Sequence, residues 1–148
     1  MRLRNQRGRS KRLGGAQARV AIDTHVLVRA VVRDDARQAK RAAKLLLGAD
    51  LVAVALPCLC EFVWVLRRAY GFTPADVAAA IRALLDAANT VTNRPAAEAG
   101  LAALEAGGDF ADGVIACEGQ WLGGETFVSF DQKAVALLTA QRQSARLP

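Results

Sequence analysis

The chain has 148 residues, a 53% hydrophobic fraction and a formal net charge of +6, which suits one domain with a sizeable core. No apolar run reaches the ~18 residues of a membrane span, and the basic start is not followed by the apolar stretch of a secretory leader. The expectation is a soluble cytoplasmic protein with no membrane partner. Charge is unevenly placed, since seven of the 20 basic side chains and none of the 14 acidic ones fall in residues 1–19. That stretch carries Gly, Asn, Gln and Ser without apolar periodicity, and reads as a disordered basic extension able to attract nucleic-acid phosphates. Residues 20–148, nearly neutral, form the folded domain.

Val20-Ala21-Ile22 is a short β-branched run that ends at Asp23. An apolar-periodic pattern over residues 24–32 follows at once, so Asp23 closes a strand and stands at the N-cap of a helix. Asp34-Asp35 open a second helix that runs to Leu47, with Gly48 as its stop. Arg29, Arg33, Arg37, Lys40, Arg41 and Lys44 recur at three- and four-residue spacing; the stripe is a solvated face or a phosphate contact. Residues 51–55 suit a second buried strand. Pro57 opens a helix from Cys58 to Tyr70, in which Glu61 lies off the apolar stripe of Leu59, Phe62, Val63 and Leu66. Thr73-Pro74-Ala75-Asp76 starts a helix over 74–88. Residues 90–92 are a weak strand signal, and Pro95 begins a helix that ends at Gly107-Gly108.

Asp109 starts the next helix, which runs to about Leu122 and carries Asp112 in its first turn. Thr126-Phe127-Val128-Ser129-Phe130 reads as a buried strand, with Asp131 heading a last helix. Strands alternating with helices predict an α/β fold with a central parallel sheet and helices on both faces. Cys58, Cys60 and Cys117 form no zinc-spaced set with the single histidine, His25. They suit buried thiols in a reducing compartment.

Four acids stand out by position. Asp23 and Asp131 each end a strand and begin a helix, Asp112 lies in a first helical turn, and Glu61 lies one turn into the helix after the second strand. A parallel sheet places all four at the carboxyl ends of its strands, where α/β folds carry their sites. Taken singly, each also reads as a cap, a dipole partner or an ion-pair member. Taken together, converging carboxylates repel unless a cation or proton intervenes. Oxygen-only ligation suits Mg²⁺ or Mn²⁺, and the chemistry is then displacement at phosphorus. No P-loop, dinucleotide-binding glycine pattern or GxSxG elbow is present.

The chain from Val20 onward resembles a PIN domain, most closely the VapC-type toxins of bacterial toxin–antitoxin pairs. The resemblance rests on Asp23-Thr24-His25-Val26-Leu27-Val28-Arg29, Glu61-Phe62-Val63-Trp64-Val65-Leu66, Phe110-Ala111-Asp112-Gly113-Val114-Ile115-Ala116 and Val128-Ser129-Phe130-Asp131. It implies a three-layer α/β/α fold and a metal-dependent endoribonuclease, with Asp23, Glu61, Asp112 and Asp131 as metal-binding and catalytic acids. It also implies a place beside the substrate for Ser129, a helix-cap or supporting role for Asp109, a homodimer, and an antitoxin partner. His25 stands where the family more often has asparagine. Gly113 replaces a helix former and should loosen the turn of Asp112 by up to ~1 kcal/mol. The other reading is a non-catalytic PIN-like module that binds RNA or protein.

Overall fold

The computed structural model describes residues 18–148. The expected basic extension lies outside the described residues except at its end, where Arg19 is already the first residue of a strand. Three short parallel strands form the central sheet in the order β1-β2-β3: β1 (Arg19–Ala21), β2 (Leu51–Ala53) and β3 (Thr90–Val91). Val20 pairs with Val52, and Val52 with Thr90. Two helices make each crossover, as parallel neighbours require. They are α1 (Thr24–Val32) and α2 (Ala36–Gly48), then α3 (Leu56–Arg68) and α4 (Pro74–Asp86). After β3 come α5 (Arg94–Glu105), α6 (Phe110–Trp121), β4 (Phe127–Val128), α7 (Gln132–Ala140) and β5 (Ala145–Arg146). The helix-rich α/β architecture read from the sequence holds, and no helix among the described residues is long and apolar enough to cross a membrane.

Local chemistry accounts for the helix starts. Asp35, Thr73, Asn93, Asp109 and Asp131 each accept a backbone N–H bond at an N-terminus, satisfying donors that have no partner within the helix. Pro57, Pro74 and Pro95 occupy first-turn positions, where a missing N–H costs nothing. Gly48 remains helical instead of lying beyond the helix. The core is continuous from Val52 of the sheet through Leu59, Phe62 and Leu66 of α3 and Val77 and Ile81 of α4 to Phe110 of α6.

One strand differs from expectation. Residues 126–130 are not a buried strand of the central sheet. β4 is two residues long and pairs only with β5, Phe127 against Ala145, in a separate parallel ladder. Val128 is 46% exposed and Phe130 87%. Three apolar residues among five give strand character but do not say whether a layer covers each face.

The tightest packing joins α5 and α6. A Cβ on Gly100 would stand 2.6 Å from the Phe110 ring. A Cβ on Gly113 would overlap the Ala99 carbonyl oxygen and lie 2.9 Å from the Ala103 Cβ. Gly113 therefore does not loosen α6, contrary to the sequence expectation. Its missing side chain is what lets the helix lie against the α5 backbone, and it fixes the turn that carries Asp112. Gly119 on the same helix meets nothing within 4 Å. Chemical denaturation separates the two effects. Gly119→Ala should stabilise by about 0.5–1 kcal/mol. Gly113→Ala should destabilise by roughly 2 kcal/mol, because overpacking against backbone exceeds the helix-propensity gain. Equal stabilisation by both substitutions would contradict this packing.

Candidate functional site

Asp23 follows β1 with extended backbone angles, φ −84° and ψ 158°, at the N-cap of α1. Its side chain makes no cap hydrogen bond, so the simplest structural use of this acid is not taken up. Its Oδ2 lies 3.4 Å from His25 Nδ1, and both side chains are largely exposed. Thr24 begins α1 and is 3% exposed, because Thr24, Leu27 and Val28 form the inward face of that helix. Its hydroxyl donates to Glu61 Oε2 at 2.9 Å across 37 residues of sequence. That bond fixes the Glu61 carboxylate of α3 against the start of α1.

Cys58 lies one turn before Glu61 at the same junction. Burial pushes its thiol up, opposed by a hydrogen bond with Thr24, and the Asp23 and Glu61 carboxylates add to the rise. A thiol held in its neutral form is a poor nucleophile. Burial likewise raises Cys60, helped by Asp109 and Glu118. All three cysteines are free.

The second group of acids stands around the start of α6. Asp109 caps this helix, its Oδ1 accepting from Ala111 N at 3.1 Å. Asp131 caps α7 through Oδ1, which accepts from Lys133 N and Ala134 N at 3.0 and 3.1 Å. The cap explanation therefore holds for Asp131, although neither bond uses Oδ2. Ser129 Oγ accepts from Asp131 N at 3.0 Å, so it shapes the turn that presents this acid. Asp112 is half-buried and its carboxyl is raised, chiefly by burial, then by Asp109 and Asp131.

Asp23 and Glu61 thus both act on the Cys58 thiol, and Asp109 and Asp131 both act on the Asp112 carboxyl. Among the described residues, no three His, Cys, Asp or Glu side chains close into a metal-ligand set. The donors nevertheless suit a hard divalent ion in kind. They are carboxylate oxygens, and among the described residues no Lys or Arg stands within 4 Å of any of these five acids. The sequence pattern located the acids but not Thr24. The available signal was a hydroxyl in the inward-facing register with Leu27 and Val28.

A family model described as PIN domain matches residues 20–137, from within β1 into α7. No curated protein matches the chain.

The Asp112 environment has a measurable consequence. A carboxylate whose folded-state pKa is raised costs stability when ionised, and the penalty is relieved as pH falls through that raised value. Asp112→Asn should therefore raise the Tm at neutral pH by up to ~4 °C, with the gain shrinking as the pH is lowered. A lower Tm at neutral pH would show that the carboxylate stabilises the fold.

Proposed function

The chain belongs to the PIN-domain family, whose members are generally metal-dependent nuclease domains, and on that basis we propose that it is an endoribonuclease. It hydrolyses RNA phosphodiesters by attack of water, leaving 5′-phosphate and 3′-hydroxyl ends, and serves as the toxin of a toxin–antitoxin pair. The observation that carries the reading is the state of the carboxylates. Asp23 heads a helix without capping it, and Asp112 is half-buried beside two further acids. The first leaves a carboxylate free of the usual capping use, and the second is costly for a carboxylate with a purely structural role.

Asp23, Glu61, Asp112 and Asp131 are the residues that would hold Mg²⁺ or Mn²⁺. Bound there, the ion supplies charge neutralisation at the phosphoryl oxygen and a lowered pKa for water. The chain's own residues do the positioning. Thr24 holds one Glu61 oxygen and leaves the other unengaged by that bond. Asp131 keeps Oδ1 on the α7 amides, and Ser129 holds the preceding turn beside the substrate. The first-turn amides of α1, which no side chain caps, present positive potential to a phosphate next to Asp23. No side-chain nucleophile is needed, and the raised thiols of Cys58 and Cys60 are unsuited to that role.

Trp64, Ile115, Trp121, Leu122 and Phe130 are all more than half exposed. Protein partners, a second copy of the chain and an antitoxin, are part of the proposal, and these exposed side chains are the apolar surface available to them. The other reading is a PIN-like module that binds RNA or protein without cutting, which fits the lack of a closed metal-ligand set among the described residues.

Cleavage separates the two. Single-stranded RNA incubated with Mg²⁺ or Mn²⁺ should be cut to 5′-phosphate ends, and chelation should stop it. Asp112→Asn should lower the rate by at least ~100-fold with the fold intact, beyond the 10–100-fold typical of residues that only support ligands. Intact RNA after incubation with the metal-supplemented wild type, or full activity in Asp112→Asn, would refute the nuclease assignment.

A further inference from the structure

A cavity of about 440 Å³ opens between α1 and α2, lined by His25, Arg29, Gln38 and Arg41 over an apolar floor that includes Val26 and Leu45. Its charge is not internally balanced. Arg29 is committed, with Nη1 donating to Asp34 at 3.0 Å and Nε to Gln38 at 2.6 Å. Tyr70 closes this clasp by donating to Asp34 at 3.0 Å. Arg41 has no acid within 4 Å among the described residues. It belongs to a helix that carries Arg37, Lys40, Arg41 and Lys44 and not one acid.

The cavity also has a direction. His25 is one of its walls and reaches Asp23, the first acid of the proposed reaction centre. A cationic rim over an apolar floor, leading to a carboxylate group that takes a phosphodiester, matches a nucleotide better than it matches a simple anion. The phosphate needs the rim, and the flat base or ribose needs the floor and a guanidinium plane.

We infer that the α1–α2 cavity is a nucleotide subsite of this protein, in which Arg41 binds a backbone phosphate of single-stranded RNA next to the one that is cut. The subsite deepens the nuclease reading and rests on it for the identity of the neighbouring phosphate. Arg29 and the Asp34–Tyr70 clasp hold the wall in place, leaving Arg41 as the side chain whose charge is free for the ligand. Arg41 is thus a substrate-binding residue outside the acidic groups.

The test is RNA binding without cleavage. Fluorescence anisotropy of a labelled oligoribonucleotide is followed in EDTA over a series of salt concentrations, with the full chain. Arg41→Ala should weaken binding by about tenfold and reduce the slope of log K against log[salt] by ~0.7, the value for one phosphate contact on a single strand. Arg82→Ala, which removes a cation already paired with Glu105 at 2.5 Å, should leave both unchanged. With metal restored, Arg41→Ala should raise KM and keep kcat. An unchanged slope in Arg41→Ala, an equal loss in Arg82→Ala, or wild type that fails to bind RNA would overturn the inference. So would a preference for an acidic peptide that Arg41→Ala abolishes. Wild type that binds through Arg41 but never cleaves supports the subsite and removes the nuclease reading, so the two fail separately.

Discussion

The crossing of α5 on α6 is the constraint on which the placement of the second acidic group depends. Gly113 has no Cβ where the Ala99 carbonyl passes, and Gly100 has none where the Phe110 ring lies. Each helix thereby gives the other a smooth contact surface, and Phe110 becomes fully buried between them. The residue before Gly113 is Asp112, and the cap of the same helix is Asp109. The close approach that anchors α6 to the core therefore also fixes two carboxylates. Backbone contact is a stiffer constraint than side-chain packing, because a carbonyl in a helix cannot rotate away from an intruding methyl.

Electrostatics run against stability at the same place. Three acids share the region at the starts of α6 and α7, and burial makes the half-buried one costly to ionise. Two of them recover part of the loss as N-caps, because helix N-termini favour negative charge. Asp112 and Asp23 stand at helix N-termini too, but neither side chain makes a cap hydrogen bond: the first lies in the first turn, and the second occupies a cap position without using it. A carboxylate held at such local cost, as Asp112 is, is one to connect with function. Contrast Asp34, whose carboxyl is held low by the Tyr70 hydroxyl, with Arg29 adding to the effect against its partial burial. That acid is satisfied within the protein and needs no further partner.

Much of this organisation is legible in the sequence. β1, β2 and every helix follow from apolar runs, first-turn prolines and capping residues, because those signals act within a few residues of themselves. The parallel sheet follows from the alternation of strands and helices. What escapes is whatever depends on a distant surface. Thr126 to Phe130 has the composition of a buried strand, but β4 finds only the two-residue β5, which has no strand signal of its own. Gly113 looks like a weak helix residue until the Ala99 carbonyl is placed against it. Thr24 looks like an ordinary first-turn threonine until Glu61 arrives from 37 residues away. For the site, the sequence named the acids, whereas the separate fates of Asp23, which caps nothing, and Asp131, which caps its helix, emerged only from the packing.

The nuclease reading proposes that Asp23, Glu61, Asp112 and Asp131 together hold divalent metal. Calorimetric titration of Mn²⁺ into wild type, Asp23→Asn and Asp112→Asn tests it most directly. A binding isotherm is expected for wild type, with at least ~10-fold weaker binding in each variant, since each would remove a proposed ligand. Binding that survives unchanged when either acid is altered, or no Mn²⁺ binding by wild type, would contradict that reading.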